Sequence, residues 1–81
     1  MKANLQPHCD QELDVSGLFC PYPLLEAKKA LNLLSTGKVL KIISTDPAAI
    51  IDFKVFTATS SNELLHQEKL SKKYYFWIKK A

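Results

Sequence analysis

The stretch that decides the fold is CPYPLLEAKKALNLLSTGKVLKIISTDPAA, residues 20–49. After its two closely spaced prolines, apolar residues recur at the spacing of one helix face. These residues are Leu24, Ala27, Leu31 and Leu34. Gly37 is a typical end signal for this helix. Residues 39–45, VLKIIST, are rich in β-branched side chains and predict a largely buried strand.

A second helix is predicted to start at Asp46 and Pro47. Aspartate is a strong N-cap, and proline fits the first helical position because its missing N–H would be unpaired there anyway. We expect its core face to carry the residues that repeat the helical spacing. These residues are Ala48, Ile51, Val55 and Ala58. Asp52 is interpreted as a solvated charge on the outer part of this helix.

One more strand is predicted before this stretch, at residues 12–15, and two are predicted after it, at residues 63–68 and 74–79. The order β-α-β-α-β-β favours an α+β fold, a two-layer βαβαββ sandwich with two helices packed on one face of a mixed four-stranded sheet. Its first two strands should be parallel, with a right-handed crossover, and its last two antiparallel. We expect residues 1–11 to form a flexible N-terminal lead and residues 12–81 to form a single domain.

Size and composition exclude several classes of protein. The chain has 81 residues, enough for one small domain with a thin core and too few for a Rossmann domain, a barrel enzyme or a site between two domains. Binding modules, carriers and very small enzymes remain. All 11 basic residues are lysine, and the lack of arginine disfavours sequence-specific reading of nucleic acid. The late lysines fit a solvated edge strand better than an RNA surface. They are Lys69, Lys72, Lys73, Lys79 and Lys80.

Cysteine content and the start of the chain predict the compartment. Two cysteines are too few for a disulfide scaffold of this size. The sequence does not open on a secretory signal, and no apolar run approaches the roughly 18 residues that a membrane span needs. We therefore expect a cytoplasmic protein with reduced thiols and no membrane contact.

Cys20 carries the strongest chemical signal in the sequence. If Pro21 takes the first helical position and Pro23 the third, Cys20 lies at or beside the N-cap. Its sulfur would then face free N–H groups and the positive end of the helix dipole. A thiol in that place has a lowered pKa, and the thiolate is the reactive nucleophile. The residues alone leave an equal alternative, in which Cys20 is a small buried hydrophobe.

Five other side chains leave alternatives open. Cys9 is either a resolving thiol for Cys20 or a spare thiol, and the second interpretation is favoured because nothing holds its geometry. His8, Cys9 and Asp10 are metal-ligand types, but consecutive loop residues rarely close a site, so we expect no metal. His66 is interpreted as a surface or cross-strand side chain, or as a proton partner if the fold brings it near Cys20. Trp77 belongs either to the sheet core or to an exposed interface.

Several motifs together resemble the TusA/SirA-like sulfur-carrier family, and the resemblance covers Leu13 to Lys80. The motifs are Gly17-Leu18, Cys20-Pro21-Tyr22-Pro23, Gly37 and Asp46-Pro47-Ala48-Ala49. The resemblance implies the same two-layer sandwich, with Cys20 as the sulfur-carrying residue in a loop shaped by Pro21, Tyr22 and Pro23. The family often has glutamate where Tyr22 stands here.

The resemblance implies a sulfurtransferase that acts stoichiometrically in a relay. Cys20 would accept a persulfide sulfur from a cysteine desulfurase or similar donor and pass it to the thiol of an acceptor protein, in some relatives towards 2-thiouridine in tRNA. Such exchange needs no metal or organic cofactor. Direct binding of nucleic acid is not expected. The alternative is a non-catalytic regulatory or adaptor module of the SirA-like type with a redox-sensitive cysteine.

Overall fold

The computed structural model describes residues 7–81, which form two helices and four strands in the order β-α-β-α-β-β. The elements are β1 (Gln11–Asp14), α1 (Tyr22–Asn32), β2 (Val39–Ser44), α2 (Ala49–Thr59), β3 (Glu63–Leu70) and β4 (Lys73–Lys79). Both helices pack against one face of the four-stranded sheet. The predicted α+β sandwich is therefore confirmed.

The sheet has the strand order β1-β2-β4-β3. β1 runs parallel to β2, with Leu13 opposite Ile42, whereas β2 and β3 both run antiparallel to β4. Because β1 and β2 are parallel, the loop after β1 and the turn after β2 meet at the same edge of the sheet. We call this the carboxyl edge. It brings together the starts of α1 and α2, which are far apart in sequence.

The core lies between the helices and the sheet, and α1 packs as its spacing predicts. Ala27 and Leu31 are buried, and Leu24 and Leu34 pack against the cluster. The buried cluster consists of Val15, Ala27, Leu31, Leu40, Ile42, Ala49, Phe53, Phe76 and Ile78. Burial of this apolar surface is the main stabilising contribution to a fold this small.

The prediction for α2 was wrong about its core face and about the residue at which it begins. Its core face carries Ala49 and Phe53, whereas Ile51 and Val55 are 67% and 54% exposed. The helix is apolar on nearly every side, so the spacing alone fits more than one face. The ring of Phe53 decides between them, since it packs 4.8 Å from the ring of Phe76, centroid to centroid.

The beginning of α2 also differs from the prediction. Its N-cap is Ala48, and the helix begins at Ala49, so Asp46 is not the cap and Pro47 is not the first helical residue. The amide of Ala49 donates to the carbonyl of Asp46, and the two residues between them form a turn that precedes the helix. Asp46 is thereby released for contacts outside its own helix.

The sheet face away from the helices buries Trp77. Phe76 and Ile78 point into the helix-side core, so the alternation of a strand directs Trp77 to the other face. Its side chain is fully buried, with the Lys41 ammonium 5.5 Å and the His66 ring 5.1 Å from its ring. Of the two alternatives for Trp77, the exposed interface is therefore wrong.

Residues 7–10 lead into β1. The amide of Asp10 donates to the carbonyl of Val39 at 2.8 Å, and Asp10 Oδ2 accepts from the Val39 amide at 2.8 Å. The predicted flexible lead, residues 1–11, falls in part on residues 1–6, which lie outside the described residues. Its separation from a domain of residues 12–81 stays a prediction. Neither α1 nor α2, the helices of the described chain, has the length and apolar character needed to cross a membrane.

Candidate functional site

Cys20 lies at the carboxyl edge, in the loop between β1 and α1. The N-cap of α1 is Pro21, and Tyr22 and Pro23 take the first two helical positions. The two prolines therefore stand one position earlier than predicted, while Cys20 is beside the N-cap as expected. The peptide bond between Cys20 and Pro21 is cis.

The Cys20 thiol is free and exposed, so the alternative of a buried small hydrophobe is wrong. The aromatic side chains on either side in sequence are also exposed, Phe19 by 66% and Tyr22 by 58%. Pro23, in the first turn of α1, is buried, whereas Pro21 is exposed. The sulfur is thus presented at the surface of a loop with an apolar rim.

Asp46 ties this loop to the turn that precedes α2. Its carboxylate is buried, with one oxygen accepting the Cys20 amide at 2.7 Å and the other accepting the Ala48 amide at 3.1 Å. The amide of Asp46 itself donates to Ser44 Oγ at 3.1 Å. The bond to Ala48 is a local turn bond that an Asp-Pro sequence can suggest. The bond to Cys20 joins residues that are 26 positions apart, and no pattern in the sequence indicates it.

A second contact between the same two segments lies at Gly17. Its amide donates to Thr45 Oγ1 at 2.9 Å. Gly17 has a φ of +87°, in the left-handed region that glycine adopts without a steric penalty. The turn at Gly17 and the carboxylate of Asp46 therefore hold the loop of Cys20 at two points along its length.

Asp52 also lies at the sulfur and is not the solvated charge that the sequence predicts. It belongs to the first turn of α2 and is partly buried. A hydrogen bond from the Cys20 thiol to the Asp52 carboxylate raises the pKa of Cys20 above its ordinary value. Partial desolvation and the negative charges of Asp52 and Asp46 raise this pKa further. All three causes favour the protonated thiol.

The prediction of a lowered pKa for Cys20 was therefore wrong. It assumed free amides at the helix start, and the structure offers few of them. The Tyr22 amide donates to the Phe19 carbonyl at 2.9 Å and the Leu25 amide to the Pro21 carbonyl at 3.1 Å. Pro21 and Pro23 have no N–H to offer. Two nearby carboxylates then outweigh what remains of the helix dipole.

The remaining candidates lie elsewhere. Cys9 is next to Asp10, which accepts the Val39 amide at the start of β2. The Cys20 amide donates to Asp46, beyond the other end of β2. The six residues of β2 separate these two points by about 20 Å. A disulfide needs Cα atoms within about 7 Å, so the fold does not bring the two thiols together. His8 pairs with Asp10 at 3.2 Å. Residues 7–81 contain no group of three or more metal-ligating side chains.

His66 is separated from Cys20 by the width of the sheet. It lies on β3, and β3 and β1 are the two edge strands. Its Nε2 is 2.9 Å from Glu68 Oε1. The fold therefore does not make it a proton partner for the thiol, and the interpretation as a cross-strand side chain holds.

Comparison with known proteins places the chain in a family. The model of the family described as sulfurtransferase TusA matches residues 11–80. The chain is 50% identical to the sulfur carrier protein TusA of Allochromatium vinosum over 72 residues, which are 89% of this chain and 95% of that protein. It is 39% identical to the protein of the same name from Pseudomonas entomophila over 71 residues, 88% of this chain and 89% of that one. The chain belongs to the TusA sulfurtransferase family.

Proposed function

We propose that this protein is a sulfur carrier and that Cys20 is the residue that holds the sulfur. Family membership supports this role, as does the exposure of a thiol in a loop held at two points. The exposed thiol in a loop held at two points is the observation that carries the proposal, because a carrier must present one sulfur to two different proteins in turn. Pro21, Tyr22 and Pro23 shape the loop that presents it.

The proposed reaction is an exchange between thiol and persulfide. The Cys20 thiolate attacks the outer sulfur of a donor persulfide, and a bond forms between Cys20 Sγ and that sulfur. The sulfur–sulfur bond of the donor breaks, and the donor thiolate takes up the proton that Cys20 released. The acceptor thiol repeats the exchange on the persulfide of Cys20. Neither step has a net oxidation, and neither requires a metal or an organic cofactor on this chain.

The donor is proposed to be a cysteine desulfurase or a protein of similar chemistry, and the acceptor a protein thiol. A groove beside Ile50, Tyr74 and Phe76 does not include Cys20. Exposed Phe19 and Tyr22 instead surround the thiol with apolar surface, which suits contact with a partner protein. We further propose that the relay operates in the cytoplasm and supplies sulfur for 2-thiouridine in tRNA.

Two of the late lysines have contacts within the protein, which supports a protein partner rather than RNA. Lys80 Nζ donates to the carbonyls of Leu31 and Leu34, at 2.7 and 3.3 Å, at the end of α1. Lys69 lies over the ring of Tyr74, 5.6 Å from its centroid. Binding to tRNA that falls steeply with salt and depends on four lysines would favour the RNA alternative. These are Lys72, Lys73, Lys79 and Lys80.

Loading with sulfur tests the proposed function directly. The protein is incubated with a cysteine desulfurase, pyridoxal phosphate and cysteine, and its intact mass is measured. We expect a gain of one sulfur, about 32 Da, that a reductant removes. The gain should be absent in Cys20→Ser and unchanged in the matched variant Cys9→Ser. A gain that survives in Cys20→Ser would contradict the assignment of Cys20.

The raised pKa of Cys20 favours one alternative, a regulatory or adaptor module with a redox-sensitive cysteine. A protonated thiol is a weaker nucleophile in the free protein. No gain of mass with several desulfurases, together with binding to a partner protein that Cys20→Ser leaves intact, would favour the adaptor.

A further inference from the structure

The late lysines are divided between two opposite edges of the sheet. Lys79 pairs with Val39 at the start of β2. Tyr74 follows the turn between β3 and β4 by one residue, and it pairs with Ser44 at the end of β2. The six residues of β2 separate the two edges by about 20 Å. The turn between β3 and β4 therefore lies at the carboxyl edge, which also holds the loop of Cys20.

This turn concentrates positive charge at the carboxyl edge. Lys69, Lys72 and Lys73 follow one another closely in sequence, and all three are exposed. The turn itself has only two residues, Ser71 and Lys72, because Leu70 pairs with Lys73. Ser71 has a φ of +60°, in the left-handed region that such tight hairpin turns use. The lysines therefore extend from a short, well-defined turn and not from a long loop.

The two sides of the carboxyl edge differ in charge. The strand order places β1 at one side and β3 at the other. Asp14 ends β1 and is exposed, and one of its oxygens accepts the Ser16 amide at 2.9 Å. Glu68, below the turn on β3, has its Oε1 2.9 Å from Nε2 of His66. An acidic group on a partner is thus attracted to the side of the turn and repelled on the side of β1.

A small groove adjoins the lysines. It measures about 80 Å³, and its lining includes the apolar or aromatic side chains of Ile50, Tyr74 and Phe76 together with Lys69. The Lys69 ammonium is 5.6 Å from the centroid of the Tyr74 ring. Ile50 belongs to the first turn of α2, so the groove lies at the same edge. The groove offers contact for one apolar side chain directly beside positive charge.

We propose that the turn and the groove together form a docking surface for an acidic segment, with one apolar side chain, of the protein that exchanges sulfur with Cys20. This inference rests on the proposed function and deepens it by naming the chemistry of the partner. Strands lie about 4.8 Å apart, so the turn is roughly 10–15 Å from the loop of Cys20 and one partner surface reaches both. We call it the turn surface. It consists of Ile50, Lys69, Lys72, Lys73, Tyr74 and Phe76.

The same observations favour a protein over RNA as the occupant. Affinity for a nucleic-acid backbone grows with the number of phosphates that are neutralised. Lys79 and Lys80 lie at the opposite edge, and Lys80 Nζ donates to the carbonyl of Leu31. They do not add to the charge of the turn. An apolar groove beside a few lysines instead matches a protein segment that carries both carboxylates and an apolar side chain.

Disulfide exchange with synthetic peptides tests the turn surface without the partner protein. Both peptides begin with a cysteine, activated as its mixed disulfide with 2-thiopyridone, followed by two glycines and a leucine. One ends in three glutamates and the other in three glutamines, which reach the turn in an extended chain. The Cys20 thiolate attacks the peptide sulfur, and the sulfur–sulfur bond of the reagent breaks. The leaving 2-thiopyridone takes up the proton of Cys20, and its absorbance gives the rate.

The measured quantity is the ratio of the rate with the acidic peptide to the rate with the neutral peptide, with Cys9→Ser as the background. This ratio cancels the reactivity of the thiol itself. We expect Lys72→Gln combined with Lys73→Gln to lower it about threefold at low ionic strength, the size of two exposed charge pairs. High salt should remove the difference.

The matched variant combines Lys38→Gln with Lys79→Gln. It makes the same change of net charge at the opposite edge, where Val39 pairs with Lys79, and should leave the ratio unchanged. Replacing the leucine of the acidic peptide by serine should slow its reaction about threefold, because the groove then loses its apolar contact.

Three results would overturn the proposal. The first is an equal ratio in the background and in the variant of Lys72 and Lys73. The second is an equal fall in both double variants, because net charge and not position would then be the cause. The third is a peptide leucine without effect, which would exclude the groove. If the turn variant keeps the ratio but loses binding to tRNA, the lysines serve RNA and the proposal falls as well.

The two proposals fail separately. If no desulfurase loads Cys20 but the peptide ratio depends on the turn lysines, the carrier function falls and the acidic preference of the turn surface stands. If loading succeeds and the ratio ignores these lysines, the carrier function stands and the inference about the turn surface falls. Thermal unfolding of each variant, followed by circular dichroism, confirms that the compared proteins are folded.

Discussion

The two helices lie side by side on the sheet and begin at the same edge, yet they differ in what their starts and faces do. α1 has one apolar stripe, and its start carries an exposed thiol with no acidic residue in the first turn. α2 is apolar on nearly every side, and the turn and first turn at its start carry Asp46 and Asp52. The start of α2 therefore sets the chemistry of the thiol at the start of α1. Four expected outcomes test this difference between the two helices.

The largest effect should come from the packing of α2. Phe53→Ala removes a fully buried ring, and we expect the free energy of unfolding to fall by about 3–5 kcal/mol. Val55→Ala is the matched variant on the exposed side, and it should cost about 0.5 kcal/mol or less. Urea denaturation measures both. Equal losses would mean that the two faces of α2 are not distinguished as described.

Breaking the link between the helix starts should come next. Asp46→Ala removes the acceptor of the Cys20 and Ala48 amides, and we expect a loss of about 2–3 kcal/mol, since hydrogen bonds to a charged group are involved and buried amides are left unpaired. Asp46→Asn keeps one acceptor oxygen and should lose less. Urea denaturation measures the free energies, and equal stability of Asp46→Ala and wild type would contradict the link.

The end of α1 should give a smaller effect. The Lys80 ammonium donates to the last carbonyls of the helix, where a positive charge interacts favourably with the dipole. We expect Lys80→Met to lower the free energy of unfolding by about 0.5–1 kcal/mol. Lys79→Met, at an exposed neighbouring position, is the control, and a loss as large as that of Lys80→Met would rule out a capping role.

The smallest effect on stability should come from Asp52→Asn, whose main effect is on reactivity. The Asp52 carboxylate raises the pKa of Cys20, so its removal should lower that pKa and shift the alkylation of Cys20 by iodoacetamide to lower pH. A raised pKa in the folded state stabilises the protein below the unfolded pKa of the thiol, and this contribution is lost as pH rises through the folded value. The variant should lose less stability across that alkaline range. An unshifted alkylation profile would show that Asp52 does not hold the thiol.

Much of the fold could be predicted from local patterns. The element order, the parallel first pair of strands and the stripe of α1 each rest on residues close in sequence, such as Ala27 and Leu31. The core face of α2 could not be predicted, because Ile51 and Phe53 are both apolar and only packing against the sheet distinguishes them. Cys20 and its place beside the N-cap were predicted because two prolines mark the helix start.

Side-chain spacing and backbone restriction within a few positions are enough to predict the order of the helices and strands and the thiol beside a helix start. The protonation of that thiol depends on contacts that form only in the folded chain. Asp46 and Asp52 lie 26 and 32 positions after Cys20 and reach it because two parallel strands end at one edge. Electrostatic energy depends on distance in space, and no local pattern contains it.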